Sequence, residues 1–190
     1  ASNVAENMRE DAICLMCTTR INEYMEKIAL DAPVSPEYLA SAVAGAIKDR
    51  ALLFYFTWKT LQDMHPEIDA DAVMAEASRR LGEYKAPNLG KVEDAEDAVL
   101  NQTSKAGMLA FDQEITKLTP EESIKVIRRC PHIEAFEELG CSKEERIKLC
   151  TKLLMPLDFA LLAPYEKVRL EFPKNLAADD VCVMCTKTAE

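Results

Sequence analysis

Residues 4–29 contain neither glycine nor proline, and within them Ile13, Cys17, Ile21, Tyr24 and Ile28 recur at steps of three and four. That spacing is the apolar stripe of an amphipathic helix. Pro33 and Pro36 bracket a turn in which Ser35 is placed to cap a second helix, with a stripe of Leu39, Val43, Ile47, Phe54, Trp58 and Leu61 ended by His65 and Pro66. Arg50 interrupts that stripe. A third helix is expected around Val73, Ala77, Leu81 and Tyr84, then a loop over 86–90 and a weakly patterned helical piece over 92–106.

After Gly107 the texture changes. Segments 110–118 and 123–129 are short, carry β-branched residues and are separated by Thr119-Pro120, which predicts two strands. Pro131 fits the first turn of a short helix holding Ile133, Phe136 and Leu139 and stopping at Gly140. Ser142 with Glu145 forms a capping box for a helix to about Leu162, bent at Pro156. Val168, Leu170 and Phe172 alternate with Lys167, Arg169 and Glu171 as in a half-buried strand, and 181–186 reads as another. The pattern is α+β: N-terminal helices followed by a small antiparallel sheet with interleaved helices. A single domain is expected over 1–190, mainly helical to 106 and mixed from 107.

Composition narrows the function classes. Of 190 residues, 48% are hydrophobic and 29% charged, the make-up of a folded globular protein. The 33 acidic residues against 23 basic ones give a net charge of -10, which repels phosphate backbones and anionic lipid, so neither nucleic acid nor a membrane is an expected partner. No stretch approaches the roughly 18 to 20 apolar residues of a membrane span, and the start lacks a signal-peptide pattern, so a cytoplasmic location is expected. The first residue is Ala1 rather than methionine, which suggests a processed or trimmed start. The long amphipathic helices suit self-association into a homo-oligomer. Seven cysteines is an odd number for a disulfide framework, which favours reduced thiols.

Several of those thiols are candidates for chemistry. Ile13-Cys14-Leu15-Met16-Cys17-Thr18 is echoed by Val181-Cys182-Val183-Met184-Cys185-Thr186, and two CxxC pairs raise a zinc or iron-sulfur site through Cys14, Cys17, Cys182 and Cys185. In a strand, however, residues three apart point to opposite faces, so buried apolar thiols are favoured over a metal or other cofactor. Arg128-Arg129-Cys130-Pro131-His132 puts Cys130 at a helix start, where backbone N–H groups and the arginines would favour a nucleophilic thiolate; a capping role is the alternative. His132 is a candidate base, though a surface histidine is the plainer expectation. Arg50 on a buried face needs a carboxylate, supplied by Asp158 or by a ligand. Asp158 follows Cys150 and Leu154 on the inward side of its helix. Glu134, Glu137 and Glu138 read as a solvated face, and His65 as a helix end.

Cys130-Pro131, the stretch from Phe136 to Gly140, Leu149-Cys150, Asp158, Pro164 and Cys182, with Arg50 and Gly82 upstream, resemble the L-2-amino-thiazoline-4-carboxylate hydrolase family. The Gly-Asp turn of that family is Asp179-Asp180 here, and Cys185 has no counterpart in its pattern. The resemblance implies hydrolytic opening of a small sulfur heterocycle to a carbamoyl-cysteine. Cys130 or an Asp158-positioned water would attack the amidine-like carbon with His132 nearby, while Arg50, Arg128 and Cys182 bind substrate. A noncatalytic small-molecule or cofactor sensor and a cysteine-based metal binder are the other readings.

Overall fold

The structure, a computed structural model, describes residues 33–189. From Pro36 onward the chain forms one compact unit. The helix expected over 4–29, with Cys14 and Cys17, lies outside the described residues.

Helix α1 spans Pro36–Met64 and α2 spans Ala70–Lys85, started by Asp69, whose side chain accepts the Ala72 amide at 3.1 Å. A 3-10 turn, Ala86–Leu89, occupies the expected loop. The weakly patterned piece resolves into two short helices, α3 (Ala95–Asn101) and α4 (Lys105–Phe111), each with its own N-cap, Asp94 and Ser104. Two caps within ten residues explain why no long stripe forms there. Strand β1 (Gln113–Leu118) therefore begins three residues later than expected, because α4 runs through Phe111 and ends on Asp112 in the left-handed region. Strand β2 (Glu122–Ile127) follows, then α5 (Pro131–Glu138), ended by Gly140 at φ 75°.

Helix α6 (Lys143–Lys148) starts with the predicted capping box: Ser142 accepts the Glu145 amide at 3.2 Å and Glu145 accepts the Ser142 amide at 3.1 Å. The helix does not continue to Leu162 with a bend at Pro156. It widens to a π turn over Leu149–Leu154 and restarts as α7 (Pro156–Leu162). Pro156 has no N–H to extend the α ladder, and the Met155 amide instead donates to the Cys150 carbonyl at 2.9 Å. Strands β3 (Val168–Lys174) and β4 (Cys182–Thr188) complete an all-antiparallel sheet ordered β1-β2-β4-β3, so the fold is α+β as expected.

Trp58, Phe136, Leu149 and Leu153 form the main core between α1, α2, α5 and the π turn. The Trp58 indole donates to Asp71 at 2.7 Å, and Lys148 pairs with Asp71 at 2.6 Å, which ties the three helical segments together at one edge. Along α1 the fully buried positions are Ala44, Ala51 and Trp58, seven apart. That line leaves Arg50 on the flank, exposed, and corrects the expectation of a guanidinium on a buried face. Helices α2 and α7 cross at Gly82, where an added Cβ would stand 2.2 Å from the Leu157 carbonyl oxygen and 2.8 Å from the Ala160 Cβ. Both obstacles belong to the short α7 backbone or its root, which cannot swing aside. Gly82→Ala is expected to destabilise the protein by about 1–3 kcal/mol, measured as a shift in the urea midpoint, whereas Gly45→Ala in α1, where the added methyl meets nothing, should not.

Candidate active site

Between the inner sheet face and the helices lies a cavity of about 830 Å3. Its floor is set by strand register: Ile127 stands opposite both Gln113 and Cys182, and Lys125 opposite Met184, and all five line the cavity. Helix α1 contributes Arg50 and Phe54, the start of α5 contributes Cys130 and His132, and the π turn and α7 contribute Cys150, Leu154 and Asp158. Apolar side chains make up most of the remaining wall.

Asp158 is the cavity carboxyl that burial moves toward neutral pH. Burial pushes its carboxyl from 3.8 up to about 6, against the pull of Lys125, Arg50 and Lys85. The cavity gives the side chain partial access to solvent, but protein surrounds it otherwise, and that surround dominates. No ion pair joins it to Arg50, so the expected Arg50–Asp158 bridge is replaced by a looser attraction.

Arg50 is bonded instead to His132, with Nη2 to Nε2 at 2.9 Å. A guanidinium only donates, so Nε2 is the acceptor and the ring proton of neutral His132 sits on Nδ1, which faces Cys130 Sγ at 3.8 Å. Burial and the Arg50 charge push the His132 pKa down to about 3. His132 is thus a cavity residue rather than a surface one. In this arrangement its Nδ1–H faces Cys130 and its Nε2 is taken by Arg50.

Cys130 caps α5 as expected, yet its thiol is pushed up by burial, which outweighs the Ile133 and His132 amides that favour the thiolate. The two arginines do not help. Arg128 pairs with Glu114 at 2.5 Å, and Arg129 pairs with Glu134 at 2.5 Å. Arg128, expected to bind substrate, does not line the cavity. Glu134 also meets Lys48 at 2.9 Å and is held near 2, chiefly by Arg129, so this face of α5 is a charge network joining α1 rather than a merely solvated surface. His65, exposed just beyond α1, pairs with Glu67.

Cys150 and Cys182 face the cavity, and burial pushes both thiols to about 12. Cys185 points to the opposite sheet face, 3.5 Å from a Glu122 carboxylate oxygen, so the Cys182/Cys185 pair cannot close on one metal. The five described cysteines are all free, and no described cluster of three or more histidine, cysteine or acidic residues is arranged to hold a metal ion. No described helix is long and apolar enough to cross a membrane.

Sequence reasoning missed Lys125. The segment was expected to be a strand, with no side assigned as inward, and its buried positions are Ser123 and Lys125, at 0% and 4% exposure. The only pattern that could have shown it is the polar-apolar alternation read with the opposite sign. Comparisons of the sequence with protein-family models and with curated proteins find no match to either.

The raised Asp158 pKa has a consequence for stability. Because the folded value of about 6 lies above the ordinary 3.8, the folded state is penalised as pH rises through that window, and the penalty is complete above it. Asp158→Asn should therefore melt higher than wild type at about pH 8, with the gain fading by about pH 4, as followed by thermal scans across pH.

Proposed function

We propose that this protein is a small-molecule hydrolase acting on a carboxylate-bearing sulfur and nitrogen ring of the L-2-amino-thiazoline-4-carboxylate kind. The observation that carries the reading is Asp158, a carboxyl titrating at about 6, in one apolar-walled cavity with Arg50, Cys130 and His132. A volume of about 830 Å3 accommodates a ring of this size with its attacking water. Arg50, an exposed cation at the cavity, suits the substrate carboxylate, with His132 fixing its direction.

Above about pH 6 the Asp158 carboxylate takes a proton from water as the water oxygen bonds to the ring carbon that carries the amino group. The C=N electron pair moves to the ring nitrogen, which receives that proton. The new hydroxyl then gives its proton to Asp158 while the C–S pair leaves on sulfur, and Asp158 delivers that proton to the resulting thiolate. One water is consumed, and N-carbamoyl-cysteine results. This route is favoured over attack by Cys130, because burial holds that sulfur as a thiol and His132 is oriented to donate to it.

A mass-spectrometric turnover assay with L-2-amino-thiazoline-4-carboxylate tests the reading. Wild type should form carbamoyl-cysteine with a kcat/KM that rises with pH through about 6, and Asp158→Asn should lose about 100-fold or more. Arg50→Leu should raise KM more than it lowers kcat. Cys130→Ala should retain most of the activity; its complete loss would transfer the attack to the thiol. No product from wild type would defeat the hydrolase reading and leave a binding domain.

A further inference from the structure

Lys125 is not used by the hydrolytic scheme. Its side chain is 4% exposed, lies on the sheet floor opposite Met184 and lines the cavity. It makes no ion pair and no hydrogen bond with any described residue. A largely desolvated amine without a partner is costly while charged. Burial lowers its pKa below the usual 10.5, opposed by the negative charges of Asp158 and, when ionised, Cys182. A desolvated amine beside a carboxyl able to gain and lose a proton near neutral pH is the arrangement that carbonyl condensation needs. Arg50, on the same cavity, supplies a cation for a carboxylate.

We propose that Lys125 is an amine nucleophile that condenses with the carbonyl carbon of a small aldehyde or α-keto acid held in the cavity, the carboxylate of the acid facing Arg50. The amine lone pair forms the C–N bond, and the carbonyl π electrons move to oxygen. Asp158 carries the proton from nitrogen to that oxygen, giving a carbinolamine. Its hydroxyl then leaves as water with a proton from Asp158, and the nitrogen lone pair closes the C=N bond. The resulting iminium returns its proton to the carboxylate, so an amine and a carbonyl become an imine and one water, with no oxidant or reductant. The proposal shares Asp158 and Arg50 with the hydrolase reading but needs neither thiazoline turnover nor Cys130, so reductive trapping can fail or succeed independently of turnover.

The test is reductive trapping of the full chain with glyoxylate and sodium cyanoborohydride at neutral pH, followed by peptide mapping. Hydride from the borohydride reduces the imine carbon and leaves one carboxymethyl group on the reacting nitrogen. Lys125 should be labelled several-fold faster than the surface lysines, since burial lowers its pKa and leaves more of the amine free. Lys125→Arg, folded as judged by circular dichroism, should lose the fast label, Asp158→Asn should slow it, and urea-unfolded wild type should label all lysines alike. Because the wild-type map alone can decide, a variant that fails to fold does not remove the test. Lys125 left unlabelled, or labelled no faster than the surface lysines in folded wild type, overturns the proposal.

Discussion

The contact on which the site depends most is the crossing of α2 and α7 at Gly82. The Leu157 carbonyl lies where any larger residue would place its Cβ, so two helix backbones meet there without an intervening side chain. Leu157 directly precedes Asp158, so the crossing fixes the backbone beside a residue that lines the cavity. The π turn before it serves the same end. By widening the ladder ahead of Pro156, it lets Cys150, Leu154 and Asp158 share the cavity wall although a proline divides their helix. An interaction that needs backbone on backbone tolerates no substitution at the close point, whereas most core contacts can relax around a changed side chain.

Charge in this molecule is divided into two populations. At the surface, acids and bases are paired: Arg79 bridges Glu76 and Glu83, Lys167 meets Glu93, and Arg128 and Arg129 are taken up by Glu114 and Glu134. Exposed pairs of this kind contribute little to stability and leave the surrounding chemistry undisturbed. Around the cavity the groups are unpaired or share partners, and burial governs them. Asp158 is moved up, His132 and Lys125 down, and the thiols of Cys130, Cys150 and Cys182 up. Every shift favours the neutral form, the direction expected of a water-poor site. Asp158, at about 6, is thereby brought near neutral pH, where hydrolysis and carbonyl condensation both need a proton carrier, whereas His132 at about 3 and Cys150 and Cys182 at about 12 are moved away from it.

Local signals of the fold were legible in the sequence where one residue decides the geometry. The Ser142/Glu145 capping box, the Gly140 stop and the alternation that begins at Val168 each specify a conformation by hydrogen bonding, steric freedom or period. What was not legible depends on packing across distance. The inward position of Asp158 was readable from its spacing to Cys150 and Leu154, but the direction of its pKa shift depends on how deeply the helices enclose it. The thiolate expected at Cys130 failed for the same reason, since a helix start and two arginines count for little once burial opposes them and acids neutralise the arginines. Lys125 was hidden because β2 turns its more polar side inward, with Ser123 and Thr186 buried beside it, against the usual apolar-in rule.

The central claim is that enclosure in the cavity makes Asp158 a proton-exchanging group at neutral pH. Its carboxyl carbon can be titrated directly by 13C NMR, with the resonance assigned by its loss in Asp158→Asn. The account predicts a midpoint near 6, and a midpoint near the ordinary 3.8 would contradict it.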